Sequence, residues 1–201
     1  MQLWVATGNA GKLRELRQLL EPHGYRVSGL TELAHPPNII ECGETFAENA
    51  LIKARALYSL TGQPTLADDS GLVVDALGGA PGVHSARYAG ASGAERDRAN
   101  YLKLLSEMST VPMERRAARF VCVLAYLDEH AHEYLFEGTC EGSIALRPQG
   151  DAGFGYDPIF WLPKLNKTMA QLAPAQKHAL SHRGQAVQAL GEHLRSCGRV
   201  R

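Results

Sequence analysis

The chain has 201 residues, 45% of them hydrophobic, and its 21 lysines and arginines balance 21 aspartates and glutamates. That length and apolar content are enough to bury a core and exclude general disorder. The balanced charge excludes a nucleic-acid binder relying on a basic surplus over phosphates, but a small phosphorylated substrate needs only a few local lysines and a cation.

Leu3-Trp4-Val5-Ala6 reads as a short buried strand, and Gly8 and Asn9 interrupt it too soon for the apolar region of a secretory leader. Thr7-Gly8-Asn9-Ala10-Gly11-Lys12 then turns the chain into a helix, whose Leu13, Leu16, Leu19 and Leu20 form an apolar face until Pro22 and Gly24 stop it. In that turn the glycines let the backbone approach an anion, and N–H groups at the helix start can donate to phosphate oxygens. Lys12 adds a point charge, and Asn9 can orient a phosphate or a neighbouring loop. The GxxxxGK[ST] pattern is not met, because Leu13 follows Lys12 and the leading glycine is missing. An ordinary strand-to-helix turn therefore stays open as an account of this fragment.

Thr31 to Gly43, with Pro36-Pro37, reads as a loop carrying Glu41. Thr45 and Glu48 have capping-box spacing, and Ala50, Ala54 and Leu57 continue a second helix to about Gly62. Lys53 lies on it, projecting either toward a cleft or into solvent. Asp68-Asp69-Ser70-Gly71 follows Pro64-Thr65-Leu66-Ala67 and precedes Leu72-Val73-Val74. Two adjacent carboxylates between apolar runs are costly unless compensated, so they are expected where a strand ends at a cleft. Glu41, Asp68 and Asp69 together could hold a magnesium ion, which prefers hard oxygen ligands and shares triphosphate oxygens, while one carboxylate activates water. Caps, turns and solvated charges compete with that reading.

Gly78-Gly79-Ala80-Pro81-Gly82 is a turn cluster, and Ser92 with Glu95 repeats the capping spacing ahead of a helix carried by Leu102, Leu105 and Met108. Ala117 to Leu127 and Glu133 to Thr139 read as strands joined by a turn at Asp128-Glu129-His130. Cys42, Cys122, Cys140 and Cys197 form no CxxC pair and read as reduced structural thiols in a reducing compartment.

In Gly153-Phe154-Gly155-Tyr156-Asp157-Pro158, Phe154 can stack on a base and Asp157 can accept a base N–H, but Phe154 and Tyr156 also suit a core beside a tight turn. Thr168 with Gln171 resembles a cap, and Ser181 can cap a final helix carrying Val187, Leu190 and Leu194. Around it, Lys177, His182 and Arg183 offer donors to purine oxygens or phosphate, or else are surface charges at a helix start. Strands and helices alternating at both ends of an antiparallel-looking middle predict an α/β fold with a mixed sheet. No uninterrupted apolar run is long enough to cross a bilayer, so a cytoplasmic location is expected by elimination.

Together these segments, TGNAGK, TFAENALIKA, ADDSGL, GGAPGVHSARYAG, GFGYDPIF and KHALSHRGQA, make the chain resemble the inosine triphosphate pyrophosphatase family over nearly its full length. The resemblance implies a single elongated α/β domain of two closely joined lobes, with a central mixed sheet flanked by helices, a nucleotide cleft between the lobes, and assembly as a homodimer. It also implies magnesium-dependent hydrolysis of ITP, dITP and XTP with release of pyrophosphate. By residue, Thr7 through Lys12 match the phosphate loop; Glu41 and Asp69 match the metal site; Asp69 also matches the proton acceptor, with Asp68 as acidic support. Lys53 is placed near phosphate and Ser70 at the substrate. Phe154, Gly155, Tyr156 and Asp157 match the base-binding segment, Phe154 as the stacker, and Lys177, His182 and Arg183 complete recognition. Arg87 is a pocket, dimer or structural residue. A different nucleotide-cleaving reaction and a catalytically silent nucleotide sensor are the rival readings.

Overall fold

In the computed structural model, residues 2–197 are described. Strand β1 (Gln2–Ala6) leads into α1 (Ala10–Leu20), then β2 (Arg26–Gly29), α2 (Phe46–Thr61), β3 (Thr65–Val74), α3 (Arg96–Glu107), β4 (Ala117–Leu127), β5 (Glu133–Ile144), β6 (Phe160–Leu162), β7 (Lys167–Thr168), α4 (Pro174–Leu180) and α5 (His182–Ser196). The strands form one mixed sheet in the order β2-β1-β3-β4-β5-β6-β7. β1 pairs in parallel with β2 and β3, whereas β6 pairs antiparallel with β5 and β7. The expected α/β architecture, a central mixed sheet with flanking helices, is what the chain adopts. No helix among the described residues is long and apolar enough to cross a membrane.

The chain divides into two compact units. Among the described residues the first comprises 2–69, 122–138 and 182–197; its core packs Leu3, Val5 and Leu66 of the strands against Leu16 and Leu20 of α1 and Val187, Leu190 and Leu194 of α5. Within it Gly138 of β5 lies directly under the start of α5: a Cβ there would collide with the His182 carbonyl, so glycine sets the close approach that brings His182 and Arg183 onto the sheet. The second comprises residues 70–121 and 139–181, with Leu72, Leu104, Met108, Phe120, Ile144 and Phe160 in its core. Arg116 is buried there with no carboxylate partner among the described residues, its guanidinium donating instead to the carbonyls of Met108, Val111, Ile144 and Ala145.

Thr45 and Glu48 make the capping box at α2, which ends at Gly62 with φ 58°. The Thr168–Gln171 box also forms, but it closes a 3-10 turn, Met169–Gln171. Ser92 caps nothing with its side chain: Gly93 is left-handed (φ 69°), residues 93–95 form a 3-10 turn, and α3 starts only at Arg96. Ser181 separates α4 from α5. The predicted strand at Glu133 continues past Thr139 to Ile144. β2 is a strand that periodicity misses, because only four residues form it and Val27 is its one large apolar side chain. All four cysteines are free thiols, but only Cys122 and Cys140 are buried; Cys42 and Cys197 are exposed.

Candidate active site

Asp68 and Asp69 sit in the interior of the ten-residue strand β3, not at a strand end as the sequence suggested. Successive side chains of a strand point to opposite faces, so the two carboxylates, though adjacent, meet different neighbours.

Asp68 is fully buried. Its Oδ1 is 2.7 Å from Lys12 Nζ, and its Oδ2 accepts from Arg183 Nε at 2.6 Å and Cys122 Sγ at 3.3 Å. Arg183 Nη1 is in turn 2.5 Å from Glu15 Oε2. Burial opposes a charge on Asp68, yet Arg183 and Lys12 outweigh it and hold the carboxyl well below the usual range. Asp68 is thus held ionised inside a network that ties α1 and α5 to β3. Glu15, which sequence reasoning passed over, completes it; the signal was a carboxylate within the Leu13–Leu16–Leu20 stripe of α1, where a charge needs a buried partner.

Asp69 has another environment. Lys53 Nζ lies 2.5 Å from its Oδ1 and 3.3 Å from Glu41 Oε1. Asp69 Oδ2 is buried with no hydrogen-bond partner among the described residues. Burial raises its pKa against the pull of Lys53 and Lys12, and Glu41 adds to the rise. A buried carboxylate oxygen without a donor is costly, and it is an acceptor for a proton or a ligand atom for a hard cation. Among the described residues no group of three acids, histidines or cysteines is placed to hold a cation alone. Two carboxylates nevertheless fit magnesium, which keeps several waters and is held by one or two carboxylates together with substrate phosphates.

The loop ahead of α1 is partly self-satisfied. Asn9 caps the helix, its Oδ1 accepting from Gly11 N at 2.8 Å and Lys12 N at 3.1 Å, while Thr7 Oγ1 accepts from Asn9 N. Those amides of the helix start are therefore already engaged. The N–H groups of Gly8 and Ala10 have no acceptor among the described residues, and the space a Cβ would take at Gly8 is open. Both residues are exposed.

In the second unit, Phe154, Asp157 and Lys177 converge. Lys177 Nζ is 2.5 Å from Asp157 Oδ2 and 5.0 Å from the Phe154 ring centroid. Asp157 Oδ2 also accepts from Phe154 N. Gly153 is left-handed (φ 82°), and a Cβ there would strike the Asp157 carboxylate. Gly155 N donates to Asp97 Oδ2 at 2.8 Å, and Tyr156, in the core, donates its hydroxyl to the Ser85 carbonyl at 2.9 Å. Tyr156 is thus an anchor, while Phe154 stays half-exposed. Asp97 and Ser85 were not legible in the sequence: the Asp97 carboxylate accepts from the backbone of Gly155, and Ser85 contributes only its own carbonyl to Tyr156, each across a long separation in the chain. Ser70, half-buried, follows Asp69 on β3, and Arg87 is exposed, its guanidinium 3.4 Å from His84 Nδ1. His182 is buried at the start of α5.

The Ham1 family model matches residues 3–193. The chain belongs to the Ham1 family. Among Ham1 relatives, it is 52% identical over 194 residues to a dITP/XTP pyrophosphatase of Yersinia pseudotuberculosis, covering 95% of this chain and 96% of the relative. It is 50% identical over 191 residues to one from Geobacillus kaustophilus, covering 95% and 93%. The solved structure of a HAM1 protein from Coxiella burnetii superposes with a TM-score of 0.85 at 42% identity, over 98% of this chain and 99% of that one. The Ham1 match takes in both the carboxylate strand and the Phe154–Lys177 group.

Proposed function

We propose that this chain hydrolyses non-standard purine nucleoside triphosphates, ITP, dITP and XTP, to the monophosphate and pyrophosphate, removing aberrant purines from the nucleotide pool. The observation that carries the reading is Asp69: a buried carboxylate with one oxygen against Lys53 and the other without a donor. The printed names of the relatives, dITP/XTP pyrophosphatases at 50% and 52% identity, support the substrate class.

Water attacks the α-phosphorus, pyrophosphate leaves, and Asp69 accepts the proton released from the water. Its raised pKa suits that task, because a base works best when its affinity for the proton approaches the operating pH. Glu41 and Asp69 would hold a magnesium ion, which when bound neutralises charge on the phosphate oxygens. Lys53 and Lys12 place ammonium groups beside the two aspartates and stabilise developing phosphate charge. The open amides of Gly8 and Ala10 donate to phosphate oxygens, with Thr7, Asn9 and Gly11 shaping the loop. Asp68, locked by Lys12 and Arg183, keeps the strand and the two flanking helices in register.

Phe154 stacks on the purine, with Gly155 and Tyr156 setting its backbone, Lys177 and Asp157 contributing polar contacts and Ser70 touching substrate. Inosine and xanthosine carry an oxygen at purine position six where adenine carries an amino group, so a donor from His182 favours the first two. Arg183, whose Nε and Nη1 are engaged by Asp68 and Glu15, supports that donor by fixing the start of α5. Guanine shares the oxygen and is refused through its amino group at position two. The working form in this reading is a cytoplasmic homodimer without a nucleic-acid or membrane partner.

The test is a comparison of ITP, dITP, XTP, ATP and GTP with and without magnesium, both products being identified. Monophosphate and pyrophosphate from the first three are expected; diphosphate and phosphate, or equal turnover of ATP, would overturn the proposal.

A further inference from the structure

The first unit holds a cavity of about 220 Å³ that shares no lining residue with the carboxylate cluster. Its walls are Leu19 and Leu20 at the end of α1, Val187 and Leu194 of α5, and the Tyr25 ring. Gly184 and Gly191 also line it; being seven residues apart they lie on one face of α5, and the missing side chains leave the helix surface bare. An apolar cavity of about 150 Å³ holds a benzene ring, so this one has room for a single ring with one small substituent.

Four polar side chains, His23, Tyr25, Gln188 and Arg195, are among the lining residues; Gln188 donates to Glu192, and Tyr25 and Arg195 are the two that bear on a ligand's orientation. Tyr25 is 6% exposed, and its hydroxyl is buried with no hydrogen-bond partner among the described residues. Burial, with Tyr126 nearby and against the pull of Arg195, pushes its pKa up to about 12, so the hydroxyl keeps its proton and is a donor. The Arg195 guanidinium folds back over the helix, close enough that a Cβ on Gly191 would meet Nη1 at 3.5 Å, and among the described residues it pairs with no carboxylate. His23 stands at the rim, and no aspartate or glutamate lines the cavity. A ligand with an apolar ring and an anionic acceptor would answer every one of these features, satisfying a buried hydroxyl whose isolation is unfavourable.

We propose that this cavity binds a small monocyclic carboxylate, its ring among Leu19, Leu20, Val187 and Leu194 and its carboxylate accepting from Tyr25 and Arg195. Binding here is separate from the nucleotide chemistry and needs no turnover to be seen.

The experiment is an NMR titration of the full chain with benzoate, using benzyl alcohol as the neutral ring of similar size. Saturable shifts of the Val187, Gly191 and Leu194 amides are expected with benzoate, and weaker ones with benzyl alcohol. Tyr25→Phe should weaken benzoate binding roughly three- to tenfold, the net value of one hydrogen bond. Gly191→Leu should fill the space and abolish binding with the melting temperature retained; if that variant fails to fold, Tyr25→Phe decides. Absence of saturable shifts to the solubility limit, equal affinity for benzyl alcohol, or full affinity in Tyr25→Phe would each overturn the assignment.

Discussion

The Lys53 ammonium lies 2.5 Å from one oxygen of Asp69, and the other oxygen of that carboxylate is buried without a donor. An acid held in this way is half neutralised and half available. Its neighbour Asp68, one residue earlier on the same strand, is wholly enclosed by cations and a thiol. The difference in surroundings separates the two: Asp68 is tied into the packing of the first unit, and Asp69 is the one proposed to act as proton acceptor.

Asp69→Asn replaces the proposed proton acceptor with an amide of the same shape. Lys53 keeps Glu41 as a partner, so the fold should survive, while pyrophosphate release should fall by about 10²–10⁴-fold, the scale of general-base catalysis. Circular dichroism together with a pyrophosphate assay checks both halves; near-normal turnover in a folded variant would remove Asp69 from the role.

Phe154 is half-exposed, whereas its neighbour Tyr156 is in the core. Removing the Phe154 ring should cost little stability but weaken nucleotide binding by roughly 1–3 kcal/mol, the value of one base–aromatic stack. Calorimetric titration of Phe154→Ala with a non-hydrolysable inosine triphosphate analogue measures it. Unchanged affinity would mean that the ring only packs.

Arg183 separates an internal role from a substrate-facing one. It is 1% exposed and links Asp68 to Glu15, so Arg183→Met removes the cation shared by two buried carboxylates and should cost about 3–5 kcal/mol of stability, as breaking a buried pair does. Urea denaturation gives the figure. A variant as stable as the parent, with only its base preference changed, would show that the internal pairs carry little.

The two aspartates should also give opposite pH dependences of stability. The Asp68 pKa is depressed on folding, so its contribution is present above the unfolded value of about 4 and is lost as pH falls through the folded value. The Asp69 pKa is raised, so folding favours its protonated form, and stability declines as pH rises from that same unfolded value through the folded one. Denaturation midpoints across a pH series should therefore show an acid loss in both the parent and Asp69→Asn, with the decline on the rising side absent from the variant. Superimposable profiles would contradict the raised pKa.

Much of the framework was legible from spacing alone. The strand at Leu3, the helix that carries Leu13 to Leu20, which ends at Leu20 and passes into a 3-10 turn closed by Gly24, and the Thr45–Glu48 box depend on contacts within a few residues, where periodicity, caps and backbone freedom act directly. The same local rules misplaced the Ser92 cap and ended β5 too early, because Gly93 turns left-handed and the ladder with β6 extends the strand to Ile144. Motif letters marked Glu41, Lys53 and Asp69 as candidates, and the fold brings these three together.

What the letters alone determined was the inventory: two adjacent acids, a glycine-bearing turn, an aromatic between glycines and a set of cations. Only tertiary structure decided which acid is locked and which is open, for strand pleating sends neighbours to opposite faces and the partners arrive from positions as distant as Lys12 and Arg183. Glu15, Asp97 and Ser85 entered in the same way. Their charge and hydrogen bonds act through space, across chain separations that no local pattern spans.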